Sequence, residues 1–196
     1  DNPLQNSRLS LERSGILDAC ESVERGLCRH LTDEAQYRET TLDQAREMRS
    51  NSIMRDVLEA DVLIAAPVAK SHGAAGVSLA LKGQMGLILG RHIMHSRYDL
   101  ATAIVDLNTL LLPNLTVIDA TRVLSTNGPG GPGTVLTPGE VICSADPVAA
   151  DATATASYEW YGRKITPNQV SYIRQAHERG LGRMDIENLI TRRMTA

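Results

Sequence analysis

Residues 61–95 read DVLIAAPVAKSHGAAGVSLALKGQMGLILGRHIMH, and this stretch predicts both a strand and a functional site. Its apolar run at residues 62–66 is short, as expected of a strand buried on both faces of a parallel sheet. Pro67 suits the end of such a strand because it donates no ladder hydrogen bond. Polar residues follow at once, and open α/β sheets bind ligands just beyond the carboxyl ends of their strands. The stretch therefore predicts a site that begins in a loop with Lys70 and His72.

Two further apolar runs, at residues 115–118 and 141–143, predict a second and a third strand. Helical spacing of apolar residues predicts helices over 9–27, 42–59 and 98–112. The pair Asp146-Pro147 predicts the start of another helix, since it places a capping side chain before a proline at the first helical position. Strands that alternate with helices indicate an α/β fold, with a mainly parallel sheet and helices on both faces.

The predicted sheet is small. Three strands are fewer than the five or six, roughly, of an average sheet. We therefore expect residues 1–196 to form a single α/β domain that is incomplete. An open sheet edge and bare apolar faces are rarely left exposed, so we expect a homo-oligomer or pairing with a missing N-terminal half.

The composition excludes several classes of protein. A net charge of −3 gives no electrostatic reason to expect nucleic acid as a partner. No run approaches the roughly 20 apolar residues of a membrane span, and the first residues are too polar for a signal peptide. Cys20, Cys28 and Cys143 are widely spaced and form no C-x-x-C motif, which argues against a zinc ribbon and against a self-contained iron–sulfur cluster.

Polar residues follow each of the three predicted strands. They are Lys70 with His72, then Asp119, then Asp146. In a parallel sheet all three carboxyl ends meet at one edge, so we expect these side chains to converge on one pocket. Lys70, His72 and Asp119 are the predicted catalytic residues: the lysine would neutralise an anion, the histidine would act as a general base, and the aspartate would orient it or bind a cation. The alternatives are a helix cap for Asp146 and hydrogen bonds to loop amides for Asp119.

A small anionic ligand is the partner that these residues suggest. Lys82, in the apolar helical run after the first strand, would add a second positive charge. The loop at residues 127–133, NGPGGPG, has two interpretations. Its amides can form a concave anion-binding nest from Asn127, Gly128, Gly130 and Gly131. Alternatively the loop is a rigid turn, since its two prolines remove donors.

Three histidines are candidates for a divalent metal site. His92 and His95 are three residues apart, the spacing that places two side chains on one face of a helix. With His72 they would supply three neutral imidazoles, a ligand set that suits zinc. The alternative is that His92 and His95 are ordinary surface residues. The sequence indicates no other cofactor.

Several motifs occur together and in a fixed order. They are DVLIAAPVAKSH, SLALKGQMG, LTVIDA, NGPGGPG, SADPVAADA and ERGLGRMD. With these the chain resembles the DUF362 family of uncharacterised bacterial and archaeal proteins, over about residues 14–185. The resemblance implies that the chain is the C-terminal portion of a DUF362-like domain and that an N-terminal α/β half precedes it. Some members carry a ferredoxin-type cysteine domain. Many relatives carry a twin-arginine export signal, so the resemblance leaves the location open between export and the cytoplasm.

Three functions are compatible with these patterns. The first is an enzyme, or an enzyme-derived ligand-binding domain, for a small anionic substrate. A more distant resemblance to nickel-dependent lactate racemases makes small hydroxy acids one candidate class. The second is a non-catalytic metal- or iron–sulfur-handling partner of a redox enzyme. The third is a structural or assembly domain. We favour the first because a lysine and a histidine beside glycines have no packing purpose.

Overall fold

A computed structural model describes residues 6–28, 31 and 33–194 of the chain. The described residues form eight α-helices and ten strands. The helices are α1 (Ser7–Arg13), α2 (Ile16–Glu21), α3 (Arg55–Glu59), α4 (Ala80–Gly83), α5 (Arg91–Arg97), α6 (Leu100–Asn108), α7 (Pro147–Ser157) and α8 (Ser171–Glu178). The strands are β1 (Tyr37–Thr41), β2 (Ser50–Met54), β3 (Ile64–Ala65), β4 (Val68–His72), β5 (Gly76–Ser78), β6 (Leu115–Leu124), β7 (Val135–Leu136), β8 (Glu140–Ser144), β9 (Glu159–Trp160) and β10 (Arg163–Lys164).

A mixed six-stranded sheet lies at the centre of the fold. Both β3 and β4 run parallel to β6, while β5, β7 and β8 pair antiparallel with their neighbours. Ile64 pairs with Leu115 and Val68 pairs with Asp119, which is the same register. The strands β3 and β4 are therefore two parts of one strand. The α/β class predicted from the sequence is confirmed.

The first predicted strand continues beyond Pro67. The carbonyl of Pro67 accepts a hydrogen bond from the Asp119 N–H at 2.9 Å, so the ladder proceeds although proline itself donates nothing. Lys70 and His72 therefore lie in β4, and the prediction that they lie in a loop was wrong. The strand position fixes their backbone more firmly than a glycine-flanked loop would.

The third predicted strand, β8, runs in the opposite direction. It pairs antiparallel with β6, with Thr116 beside Ser144 and Ala120 beside Glu140. The carboxyl end of β8 therefore lies at the edge of the sheet opposite to the carboxyl ends of β4 and β6. The expectation that all three strand ends meet at one edge was wrong for β8, and Asp146 is separated from the other predicted residues.

The helices α4, α6, α7 and α8 pack together, and α7 packs on β6 and β8. A single hydrophobic core joins them to one face of the sheet through side chains such as Ile118. On the other face Ile64, Val68 and Val141 are 55%, 47% and 55% exposed. Among the described residues, helices therefore cover one face of the sheet as predicted. Residues 62–66 are not buried on both faces as predicted, because no described helix covers the second face there.

The amino-terminal part differs from its prediction. The helix predicted over 9–27 is broken into α1 and α2 at Gly15, which has a φ of 74°. The stretch 42–59, predicted as one helix, is instead the connection from β1 to its antiparallel partner β2, then β2 itself and α3. Helical spacing in the sequence was overridden here by tertiary contacts.

One buried carboxylate explains that override. Asp106 on α6 accepts hydrogen bonds from the backbone N–H groups of Arg46, Glu47 and Met48 at 2.8–2.9 Å. It also pairs with Arg179 at 2.7 Å. These bonds hold the turn between β1 and β2 against the core, so a helix cannot form across it.

Other predictions are confirmed. The helix expected within 98–112 is α6, capped by Asp99, whose side chain accepts from the Thr102 N–H at 2.8 Å. The pair Asp146-Pro147 starts α7 as predicted. Among the described helices, none combines the length and the apolar character needed to cross a membrane.

Candidate anion-binding site

Five basic side chains, which we call the basic cluster, come from residues 70–95. Strand β4 supplies Lys70 and His72, helix α4 supplies Lys82, and helix α5 supplies Arg91 and His95. The rings of His72 and His95 stack with their centroids 5.6 Å apart. Burial, followed by the charge of Lys82, lowers the pKa of both histidines. Residues 61–95 therefore fold so that the two ends of this stretch contribute to one cluster.

The two lysines of the cluster are desolvated. Lys82 is 8% exposed, and its burial lowers its pKa to about 8, with further contributions from the charges of Lys70 and Arg91. Burial also lowers the pKa of Lys70. The ion pairs of the described residues involve neither lysine. A buried charge without a partner is costly, and an opposite charge would offset that cost.

His72 is held as a neutral hydrogen-bond donor. The Ala75 N–H donates to its Nδ1 at 3.2 Å. Burial, followed by the charges of Lys82, His95 and Lys70, lowers the pKa of His72 to about 4. Since Nδ1 accepts a hydrogen bond, the proton of the neutral ring lies on Nε2. His72 therefore offers an N–H donor, and the lone pair that a general base would use is already occupied.

Helix α4 is anchored by a carboxylate that the sequence analysis missed. Asp151 on α7 accepts hydrogen bonds from the N–H groups of Ala80 at 2.8 Å and Leu81 at 3.1 Å. Asp151 is fully buried, and burial raises its pKa to about 7 although both hydrogen bonds act in the opposite direction. It fixes the start of the short helix that carries Lys82. Its sequence signal was a lone carboxylate in an alanine-rich apolar helix.

The glycine-rich loop at residues 127–133 packs against β4. The Gly128 N–H donates to the Ser71 hydroxyl at 2.9 Å, and a Cβ at Gly128 would overlap the Ser71 carbonyl. The Gly131 N–H donates to the Asn127 carbonyl at 2.8 Å, while a Cβ at Gly130 would meet nothing within 4 Å. The N–H groups of two predicted nest residues, Gly128 and Gly131, therefore already donate hydrogen bonds to other groups of the protein. These contacts favour the rigid turn, which supports the strand between Lys70 and His72.

Asp119 and Asp146 make local hydrogen bonds. The carboxylate of Asp119 accepts from the N–H and the hydroxyl of Thr121 at 2.8 and 2.7 Å. That of Asp146 caps α7 by accepting from the Ala149 N–H at 2.9 Å, and it also accepts from the Arg183 N–H at 2.8 Å. The structure brings neither of them into the wall of the cavity that His72 lines.

The three histidines of the predicted metal site are only partly brought together. His72 and His95 stack, whereas His92, which like His95 is exposed on α5, makes no such contact with them. Within the part of the chain that the structure describes, no group of three His, Cys, Asp or Glu side chains is placed to hold a metal ion.

A cavity of about 620 Å³ adjoins the basic cluster at His72. Residues 160–170 form its far wall, which the sequence analysis did not associate with the site. The side chains that matter here are Trp160, Tyr161, Arg163, Ile165 and Val170. The cavity falls within the range of about 300–1,000 Å³ that is typical of small-molecule sites.

Fold and site together define an α/β protein with a partly buried basic cluster at the carboxyl end of parallel strands, next to a ligand-sized cavity. The chain belongs to the DUF362 family: the family model, described as a domain of unknown function, matches residues 1–156. This confirms the resemblance seen in the motifs. Searches of curated proteins and of solved structures found no match to the chain.

Proposed function

We propose that this chain binds a small anionic ligand carrying about two negative charges, with the basic cluster as its site. The observation that carries the proposal is the pair of desolvated lysines, Lys70 and Lys82, which have no carboxylate partner among the described residues. A dianion would neutralise both ammonium groups at once. Phosphate is the natural probe, since a phosphate group carries about −1.5 to −2 charge near pH 7 and lysine binds it as a point charge.

The residues of the cluster have distinct roles in this proposal. Lys70 and Lys82 provide the positive charge, and His72 donates the hydrogen bond from Nε2 that orients the ligand. Asp151 positions Lys82 by holding the start of α4. Catalytic roles for Lys70, His72 and Asp119, a metal role for His92, a partner subunit and a metal-handling or assembly function stay predictions.

The test is a titration of the protein with inorganic phosphate at pH 7, followed by calorimetry and thermal unfolding. We expect phosphate to bind the wild type and raise its melting temperature. Lys82→Met should weaken binding at least tenfold while the ligand-free protein remains folded, because methionine fills a similar volume without a buried charge. The matched control is Arg193→Met, which removes one positive charge from an arginine side chain that is 84% exposed. If Lys82→Met binds phosphate as the wild type does, the proposal is wrong.

A further inference from the structure

The cavity beside His72 is much larger than the basic cluster requires. At about 620 Å³ it would leave most of its volume empty around a bare inorganic anion. His72 belongs both to the cavity wall and to the basic cluster, where its ring stacks on His95. A ligand whose anionic head contacts His72 can therefore place its remaining atoms in the cavity.

The far wall of the cavity combines aromatic and aliphatic residues with two basic ones, Arg163 and Lys164. Trp160 is 2% exposed, and its indole N–H donates to the Thr155 carbonyl at 2.9 Å, which fixes the ring. Ile165 and Val170 add aliphatic surface. None of the described residues that line the cavity is acidic. The wall thus suits an organic body with apolar surface and no positive charge, attached to an anionic head.

Tyr161 occupies an unusual backbone position at the mouth of this wall. It lies in the two-residue turn between β9 and β10 with a φ of 52°, and Gly162 follows with a φ of 72°. Such a turn favours asparagine or glycine at its first position, and a bulky residue there is strained. Its N–H is held by the Ser125 carbonyl at 3.0 Å, and the side chain is 43% exposed. A strained aromatic residue that lines a cavity points to a role in contacting a ligand.

We infer that the ligand is an organic anion with an aromatic body, whose ring packs on Tyr161 in the cavity while its head group occupies the basic cluster. This inference rests on the proposed function, since it takes the head group to be bound there. Ring-on-ring contact with Tyr161 adds affinity beyond the burial of apolar area. Phenyl phosphate is the simplest probe that combines both parts.

The experiment compares inorganic phosphate with phenyl phosphate at pH 7 in the wild type, Tyr161→Asn, Lys82→Met and the control Arg193→Met. Trp160 is the only tryptophan of the chain, so its fluorescence reports entry into the cavity. In the wild type we expect phenyl phosphate to bind at least tenfold more tightly than phosphate and to change this fluorescence. Tyr161→Asn should reduce that advantage to less than threefold and leave phosphate affinity unchanged. Its melting temperature should be equal or higher, because asparagine suits the turn.

The two ideas fail in different ways. If phosphate binds through Lys82 but phenyl phosphate binds no more tightly, or if Tyr161→Asn keeps the full advantage, the inference about the aromatic body is overturned and the proposed function stands. If neither compound binds, or if Lys82→Met binds both as the wild type does, the proposed function fails and the inference fails with it.

Discussion

Binding of a dianion at the basic cluster should be coupled to uptake of a proton by Lys82. In the free protein burial lowers the pKa of Lys82 to about 8, so its amine is about half protonated at pH 8. A bound dianion favours the charged amine and returns its pKa towards the ordinary value of 10.5. Lys82 should then take up about 0.1 proton at pH 7, about 0.5 at pH 8 and about 0.9 at pH 9. The same linkage predicts phosphate affinity about fivefold weaker at pH 9 than at pH 8.

Calorimetry in pairs of buffers with different ionisation enthalpies measures this proton directly. From pH 8 upwards free phosphate is already the dianion, so its own titration adds little. The control is Lys82→Arg, because arginine stays charged throughout this range. This variant should bind phosphate with nearly constant affinity between pH 8 and pH 9 and take up no proton. If the wild type takes up no proton at pH 9, the assignment of Lys82 as a group that contacts the ligand is refuted. The same holds if Lys82→Arg takes up as many protons as the wild type.

Three further predictions concern stability and the support of the site. The pKa of His72 is lowered from 6.5 to about 4, so between these pH values the unfolded state binds more protons than the folded state. Chemical unfolding should therefore show that the free energy of unfolding falls as the pH is lowered from 6.5 to 4. In His72→Gln this fall should be less steep. Asp106→Ala leaves Arg179 buried without its partner and should lower the free energy of unfolding by about 3–5 kcal/mol in urea titrations. Gly128→Ala should displace β4 and weaken phosphate binding, whereas Gly130→Ala, whose added methyl group meets nothing within 4 Å, should bind as the wild type does.

The sequence predicted elements well where local signals and tertiary packing agree. Helix α7 begins at Asp146-Pro147 as predicted, because the cap and the proline act within one turn. Prediction from the sequence failed where a distant residue decides the local structure. The hydrogen bonds from Asp106 to the backbone at residues 46–48 span about sixty positions, and no local pattern reveals them. Strand direction is a long-range property as well, which is why β8 was expected to run parallel and Asp146 was expected at the site.

The candidate site shows the same division. Lys70, His72 and Lys82 could be identified because they are polar residues placed among glycines and apolar residues in one continuous stretch. Asp151 and Tyr161 could not, since their relation to that stretch exists only in the folded chain. Asp151 reaches Ala80 across 71 positions.

Two buried charges in this chain show why the basic cluster is better explained by a ligand than by folding. Asp106 is fully buried, yet it accepts three backbone hydrogen bonds and pairs with Arg179, so its charge is compensated inside the protein. Lys82 is almost as buried, but its amine donates to the sulfur of Met85 at 3.6 Å, and a thioether sulfur is a weak acceptor. A fold that needed only stability would place an apolar side chain there. Sequences break local rules mainly at functional sites. His72 belongs to the basic cluster with Lys82 and lines the cavity with the strained Tyr161.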